Sequence, residues 1–476
     1  MSSTVRLVPH GCADSSLRGR INRFLSTPLY IGILALLTLL SNTLGMELLL
    51  VVVLAVLVIY ICFWGDDLLP LLPLAAFCYI APSVSNNPGR NENTIFSGFG
   101  GILLLALAFA IAVSCITRVI RDRKRYKSQK YKLLPGMLVL SAAYLLGGIF
   151  REDYGQVAVR NLMFALLQCA SLCLLYLLFS GGIRWEQTRK DYFAWIGFFA
   201  GLVLVLEILN IYLQADVVID GVINRDNIYT GWGIHNNMGG MLSMMIPFAF
   251  YLACRNHRGW TGILTGGILL VGVVLSCSRN AILTSCCIFA LCTLLMLVYS
   301  KNRKRDLIAV GILIGIAAVV LLIFAKKILY LYSDLLSMGL NPNSRDHIWD
   351  KGITLFEKYP LFGGAFFAPE GLQPWTWAQS EGFTSFFPAR WHNTIVQMLA
   401  SCGIVGMAAY LFHRGQTALL FLRNHSREKT FIGCSVLALL VCSLFDCHFF
   451  NLGPTLFYSA ALAFAENCHL SRQKEE

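Results

Sequence analysis

The chain has 476 residues, is 57% hydrophobic and only 13% charged, and carries a formal net charge of +12. A soluble protein would carry about 25% charged residues, so the composition excludes a soluble enzyme with a single large core. Nucleic-acid binding is excluded as well, because no segment offers a basic face on a folded soluble domain. The sixteen cysteines lie mostly inside apolar runs and read as small hydrophobes.

Taken in chain order, residues 1–26 are polar and include Arg18, Arg20 and Arg23, so the apolar run that starts near Pro28 reads as an uncleaved first span. About fourteen runs approach the roughly 20 residues that cross a bilayer as helix. They fall near 27–43, 46–64, 67–83, 97–117, 133–150, 161–180, 192–213, 237–254, 260–276, 280–299, 306–325, 393–412, 430–446 and 452–468. The run at 67–83 contains Pro70, Pro73 and Pro82 and is expected to be short or re-entrant. The expected fold class is an all-α polytopic membrane protein of about 12–14 transmembrane helices with one long extracytoplasmic loop.

Orientation follows from the short loops. The segments 118–132, 301–305 and 413–429 are basic and, with an even number of spans, share one side with both termini. The positive-inside rule makes that side cytoplasmic. The opposite side then receives 84–96, 151–160, 214–236, a tight turn at 276–279, and one long segment, 326–391, rich in tryptophan (Trp349, Trp375, Trp377, Trp391). Within it, 343–364 reads as a helix with Ser344 as N-cap and with Pro360 and Gly363 at its end.

The polar punctuation on that outer side carries the chemistry. Residues 260–299 as one helix would measure about 60 Å, twice the hydrocarbon thickness. The chain must therefore fold back at SCSRN, which puts Arg279 at the outer end of a hairpin. Arg225, Arg345 and Arg160 fall on the same side. Taken singly, each arginine also fits a solvated, snorkelling or ion-paired role. Together they suit a diphosphate, because guanidinium groups bind phosphate oxygens bidentately and stay charged. His392 stands directly before an apolar run, eleven residues from Gly403, with Gly406 following. On a continuous helix His392 and Gly403 share a face, and the small residues place that face inward, which would hold His392 over the bundle interior. His392 then reads as a general base, against the plainer reading of a capping histidine. Asp446 and His448 are polar in an apolar setting and are expected either to act in the site or to pair with each other or with backbone. No DxD motif on the outer side, P-loop or metal-ligand spacing is found, and no cofactor is expected.

These pieces resemble the O-antigen ligase and polymerase superfamily of Wzy and WaaL types. The resemblance rests on GIHNNMGGMLSMMIPF (233–248), LSCSRNAIL (275–283), SRDHIWDKGITLFEKYPLFGGAF (344–366) and WHNTIVQMLASCGIVGM (391–407), in that order, with the long loop before the last spans. It implies a GT-C-like fold in a bacterial inner membrane, with both termini cytoplasmic and the active site extracytoplasmic. It implies transfer of a glycan from undecaprenyl diphosphate to an acceptor sugar hydroxyl on a glycan or lipid core, in surface polysaccharide biosynthesis. On this resemblance Arg279, Arg345 and Arg225 bind the diphosphate, His392 activates the acceptor, and Asn393, Arg160 and Asp346 support them. The implied division is N-terminal helices over 1–190, a core over 191–412 including the loop 326–391, and C-terminal helices over 413–476. A polysaccharide polymerase using the same donor remains open, as does a flippase for lipid-linked sugars. A flippase would need charged residues at mid-span or repeat symmetry, and neither is evident.

Overall fold

A computed structural model describes residues 16–77, 98–214, 217–230, 233–337, 345–369, 371–374, 388–423 and 425–470. The chain is a helical, polytopic membrane protein. Its helices are α1 (Leu17–Leu25), α2 (Pro28–Leu44), α3 (Glu47–Trp64), α4 (Leu74–Phe77), α5 (Gly98–Arg121), α6 (Arg123–Ser128), α7 (Leu134–Leu146), α8 (Tyr154–Cys169), α9 (Leu175–Gly182), α10 (Tyr192–Gln214), α11 (His235–Arg255), α12 (Gly259–Leu275), α13 (Arg279–Tyr299), α14 (Arg303–Leu331), α15 (Ser333–Ser337), α16 (Arg345–Lys358), α17 (Thr394–Leu422), α18 (Arg427–Cys442) and α19 (Leu452–Asn467). Two short hairpins, Val218–Ile219 with Val222–Ile223 and Tyr229–Thr230 with Gly233–Ile234, fill the connection between α10 and α11.

The count of full-length spans is lower than the hydropathy pattern suggests. Among the described residues seven helices are long and apolar enough to cross a membrane, or eight if α1 and α2, bent by 74°, count as one. Apolar runs become shorter helices wherever a turn takes some of their residues. The 13 residues of α7 rise only about 20 Å. The run at 67–83 breaks at its prolines into a single 3-10 turn, Leu69–Leu71, and the four-residue α4; Pro82 lies outside the described residues. Conversely, α8, a π-helical turn (Ala170–Leu174) and α9 run as one 29-residue span, so Arg160 sits inside a helix that begins at Tyr154 rather than at its start. The helix α14 extends to Leu331, so the long segment expected at 326–391 begins later than residue 326.

Helix α11 is the hub, with 94% of its apolar window buried. It packs on α10, α12, α13 and α18. Glycines make the close approaches: a Cβ on Gly239 would meet the side chains of Ala281, Ser276 and Ser278 at 2.6–2.9 Å, so α11 can lie directly on the α12–α13 turn. The basic segment expected as a loop at 118–132 is instead the last turn of α5 followed by α6, and it is partly structural. Arg118, 1% exposed, pairs with Asp122 at 2.6 Å and donates to the Gly65 and Asp66 carbonyls, which ties α5 to the end of α3.

Candidate functional site

The turn expected at 276–279 is present: α12 stops at Leu275 and α13 starts at Arg279. Cys277 takes a left-handed φ of 56°, which reverses the chain in three residues. Ser278 donates to the Asn236 side chain at 3.0 Å, and Asn280 donates to the Cys442 carbonyl at 2.9 Å. These bonds fix the turn against α11 and α18, and Arg279 stands half-buried at its edge. The charges of Arg225 and Arg345 both bear on Arg279, so three arginines separated by up to 120 residues in sequence form one electrostatic cluster. Arg345 opens α16 and donates to the Phe445 carbonyl. The N-cap assigned to Ser344 lies outside the described residues, as do Trp375 and Trp377.

The environment of His392 differs from the helical expectation. Helix α17 starts at Thr394, with Asn393 as its N-cap; the Asn393 side-chain oxygen accepts from the backbone N–H groups of Ile395 and Val396 at 2.8 and 3.2 Å. His392 therefore precedes the helix, in a left-handed conformation (φ 48°). Gly403 does not share a helical face with it. At φ 64° and ψ −159° Gly403 breaks α17, and the backbone of residues 360–365 inserts at the break. Ile404 N–H donates to the Pro360 carbonyl at 2.9 Å, Val405 to Leu361 at 3.2 Å, and Gly364 to Ala400 at 2.7 Å. The glycine thus serves the loop that follows α16 rather than an inter-helix face. Beneath it Trp391 is fully buried, and Gly352 lets α16 rest on the Trp391 ring and Val396.

His392 is oriented by a residue 54 positions away. Its Nδ1 lies 3.0 Å from Asp446 Oδ1, and both side chains are nearly buried, 12% and 8% exposed. The Cys447 backbone N–H also donates to that oxygen, at 2.7 Å. Asp446 lies in the turn between α18 and α19, because α18 ends at Cys442 and not near 446. Burial works against its ionisation. The charge and hydrogen bond of His392, then the charges of His448 and Arg345, outweigh this and hold the carboxyl well below the usual carboxylate range. Burial pushes the neighbouring His448 imidazole down, against the pull of Asp446. His448 packs where a Cβ at Gly240 would meet its ring at 2.8–3.1 Å.

Arg279, Arg225, Arg345, His392 and Asp446 thus meet at one end of the bundle. Arg160 stands apart: it stacks over Phe367 at 5.5 Å, bonds the Gln156 carbonyl, and shares no contact with Arg279 or Arg345. Asp346 is exposed at the start of α16. The Asn393 oxygen is committed to its cap. For Asp446 the sequence left open a role in the site or a pairing with His448 or backbone, and the structure pairs it with His392 instead. The signal was present, a lone carboxylate at the end of an apolar run, but its partner was not readable because it depends on the docking of two helix termini. Arg390 was passed over. Its guanidinium lies over the Phe164 ring at 5.1 Å and its charge acts on Asp446 and Cys447, so it adds to the positive character beside the histidine.

The arrangement has a definite chemical capacity. With Nδ1–H donating to the Asp446 carboxylate, the neutral imidazole carries its lone pair on Nε2 and can accept a proton there. A carboxylate behind the ring stabilises the imidazolium that forms. The arginine cluster supplies fixed positive charge for an anion with several oxygens.

Residues 264–411 match the Wzy_C family model, described as O-Antigen ligase. The chain therefore carries a Wzy_C O-antigen ligase domain, from a glycosyltransferase-type enzyme family. Arg279, Arg345 and His392 fall inside the matched span, whereas Arg225 and Asp446 lie outside it. No curated protein sequence matches the chain.

Proposed function

We infer that this chain, with its Wzy_C O-antigen ligase domain, is an extracytoplasmic glycosyltransferase that moves a glycan from undecaprenyl diphosphate to an acceptor sugar hydroxyl. The observation that carries this reading is the juxtaposition of the His392–Asp446 pair with the Arg225, Arg279 and Arg345 cluster at one end of a polytopic bundle. A base beside a diphosphate-sized patch of positive charge, at a membrane face, fits a lipid-diphosphate donor and a hydroxyl acceptor.

In the proposed mechanism the arginines hold the diphosphate and take up the charge that develops as it leaves. His392 Nε2 accepts the acceptor hydroxyl proton while Asp446 holds the ring and balances the imidazolium. The acceptor oxygen forms its bond to sugar C1 as the C1–O bond to the diphosphate breaks, with inversion. Undecaprenyl diphosphate departs as the anion, and the proton passes from His392 to solvent. The basic segments of 118–132 and 301–305 support a cytoplasmic position for the opposite face. The same helical layout supports a GT-C-like fold in a bacterial inner membrane.

The test is reconstitution in liposomes with a polyprenyl-diphosphate oligosaccharide, with and without an acceptor glycan, and separation of the products on a gel. A single shifted band that requires the acceptor supports ligation. A ladder without added acceptor identifies a polymerase. No transfer with any donor, together with lipid-linked sugar crossing the bilayer, overturns the reading in favour of a flippase. His392→Ala is expected to abolish transfer at unchanged membrane abundance; full activity in that variant removes the base from the mechanism.

A further inference from the structure

The end of the bundle opposite His392 carries a second basic feature that glycan transfer does not use. Helix α17 runs from Thr394, next to His392, through its break at Gly403 to Leu422, and the part after the break alone rises about 28 Å, close to the hydrocarbon thickness. Its far end therefore lies at the other membrane face. There a cavity of about 400 Å³ opens between the start of α7, the end of α17 and the start of α18. Three cations line it: Lys132, Arg423 and Lys429. Its remaining walls are Leu133, Leu419, Leu420 and the Gln416 side chain.

The cations stand out for what they lack. On this same face Arg118 and Arg121 pair with Asp122, Arg189 and Arg255 pair with Asp191, and Arg305 pairs with Asp306. Among the described residues none of Lys132, Arg423 and Lys429 forms an ion pair. Lys429 is only 5% exposed, an unfavourable place for an ammonium group without a counter-charge. The charges of Lys132 and Lys429 both act on one buried acid, Glu466, whose oxygens are engaged by neutral donors: Oε1 accepts from the Lys132 backbone N–H at 2.6 Å, and Oε2 accepts from the Tyr176 hydroxyl. Its charge offsets at most one of the three. Glu428 accepts from the Tyr251 hydroxyl at 3.1 Å and does not line the cavity. The cavity thus keeps an excess of positive charge.

Its walls say which anion fits. Leu419 and Leu422 are 48% and 67% exposed on the flank of α17, on a helix that spans the membrane. The cavity therefore joins a cationic floor to a surface that faces hydrocarbon. A soluble phosphate would leave the leucine walls unused, whereas a phospholipid engages both parts. We propose that Lys132, Arg423 and Lys429 form a binding site for the phosphate headgroup of an anionic phospholipid, with an acyl chain along Leu419 and Leu422. The bound lipid would supply the missing counter-charge and brace the contact of α7 with α17, the helix that presents His392 at its other end.

The test uses the purified full chain in a neutral detergent, titrated separately with phosphatidylglycerol, phosphatidylcholine and inorganic phosphate. Native mass spectrometry reads retained lipid and a thermal shift reads stabilisation. Phosphatidylglycerol is expected to bind and stabilise where phosphatidylcholine does not, without displacement by inorganic phosphate. Lys132 and Arg423 are exposed, so K132Q/R423Q should fold normally and bind phosphatidylglycerol more weakly by about fivefold per cation removed. K429Q tests the buried member separately. Equal binding of both lipids, or undiminished phosphatidylglycerol binding by K132Q/R423Q, overturns the site. Displacement by inorganic phosphate overturns the lipid assignment in favour of a soluble anion. The readout is binding and not transfer, so these outcomes are independent of the proposed function.

Discussion

Gly403→Ala tests whether the break in α17 holds the end of that helix next to His392. An added Cβ would lie 2.4 Å from the Leu361 carbonyl oxygen and 2.6 Å from that of Pro360, both backbone atoms that cannot rotate away. The conformation, φ 64° with ψ −159°, is one that only glycine adopts readily, and forcing it costs about 1–3 kcal/mol. Moving the 360–365 segment aside would break the Ile404–Pro360 and Val405–Leu361 hydrogen bonds, at about 1 kcal/mol each. The total is about 3–5 kcal/mol, roughly a hundredfold to several thousandfold in the folding equilibrium. Gly415→Ala is the control: it lies in the same helix, has ordinary helical φ, and nothing stands within 4 Å of the added atom. There alanine should gain about 0.5–1 kcal/mol or change nothing. Intrinsic tryptophan fluorescence during heating in detergent compares the two, with Trp391 buried beside the affected segment. A large fall in midpoint and loss of transfer are expected for G403A alone. Equal melting of the two variants would refute the assignment of Gly403 as a required break.

Three further expectations concern the site. Asp446→Asn keeps the shape but removes the charge 3.0 Å from His392, and should lower the rate of transfer by about tenfold to a hundredfold. Donor binding, measured with a labelled polyprenyl diphosphate, should be unchanged; an unaltered rate would show that the carboxylate does not act through the histidine. The same pair gives a pH signature. Because the folded-state pKa of Asp446 is depressed, its stabilisation is present above the usual carboxylate range, about 4, and is lost only as pH falls through the lowered value. D446N lacks this titration, so the difference in thermal midpoint between wild type and D446N should shrink as pH falls below the usual carboxylate range, about 4. Arg279→Ala should abolish transfer, and Arg279→Lys should restore little of it, since a point charge does not replace a bidentate fork; full rescue by lysine would reduce the role to bulk charge. Finally, in a cysteine-free background a membrane-impermeant thiol reagent should label Asp346→Cys and not Lys124→Cys in sealed cells. The reverse pattern would invert the proposed orientation.

The class of this protein was legible from residue types alone. Few charges and long apolar runs leave no soluble alternative, and a 40-residue apolar stretch that is too long for one span must turn at its single polar point, which is where Arg279 stands. The same local logic placed α16, because a helix ending at proline and glycine needs no tertiary information. Span lengths were less legible. Hydropathy cannot tell which apolar residues a turn will consume, so α7 fell short at 13 residues and α14 ran beyond its expected end to Leu331. The site depended on tertiary structure for a physical reason. His392 and Asp446 are 54 positions apart, and neither helical periodicity nor motif spacing relates them. They meet because Asn393 starts α17 one residue after the histidine, while α18 ends at Cys442 and leaves Asp446 in a turn. Gly403 makes the same point. A glycine at helical spacing from a histidine suggests a shared face, yet only the inserted backbone of residues 360–365 shows that it marks a break. Sequence supplied the residue types that the chemistry needs, and the docking of helix ends decided which of them face one another.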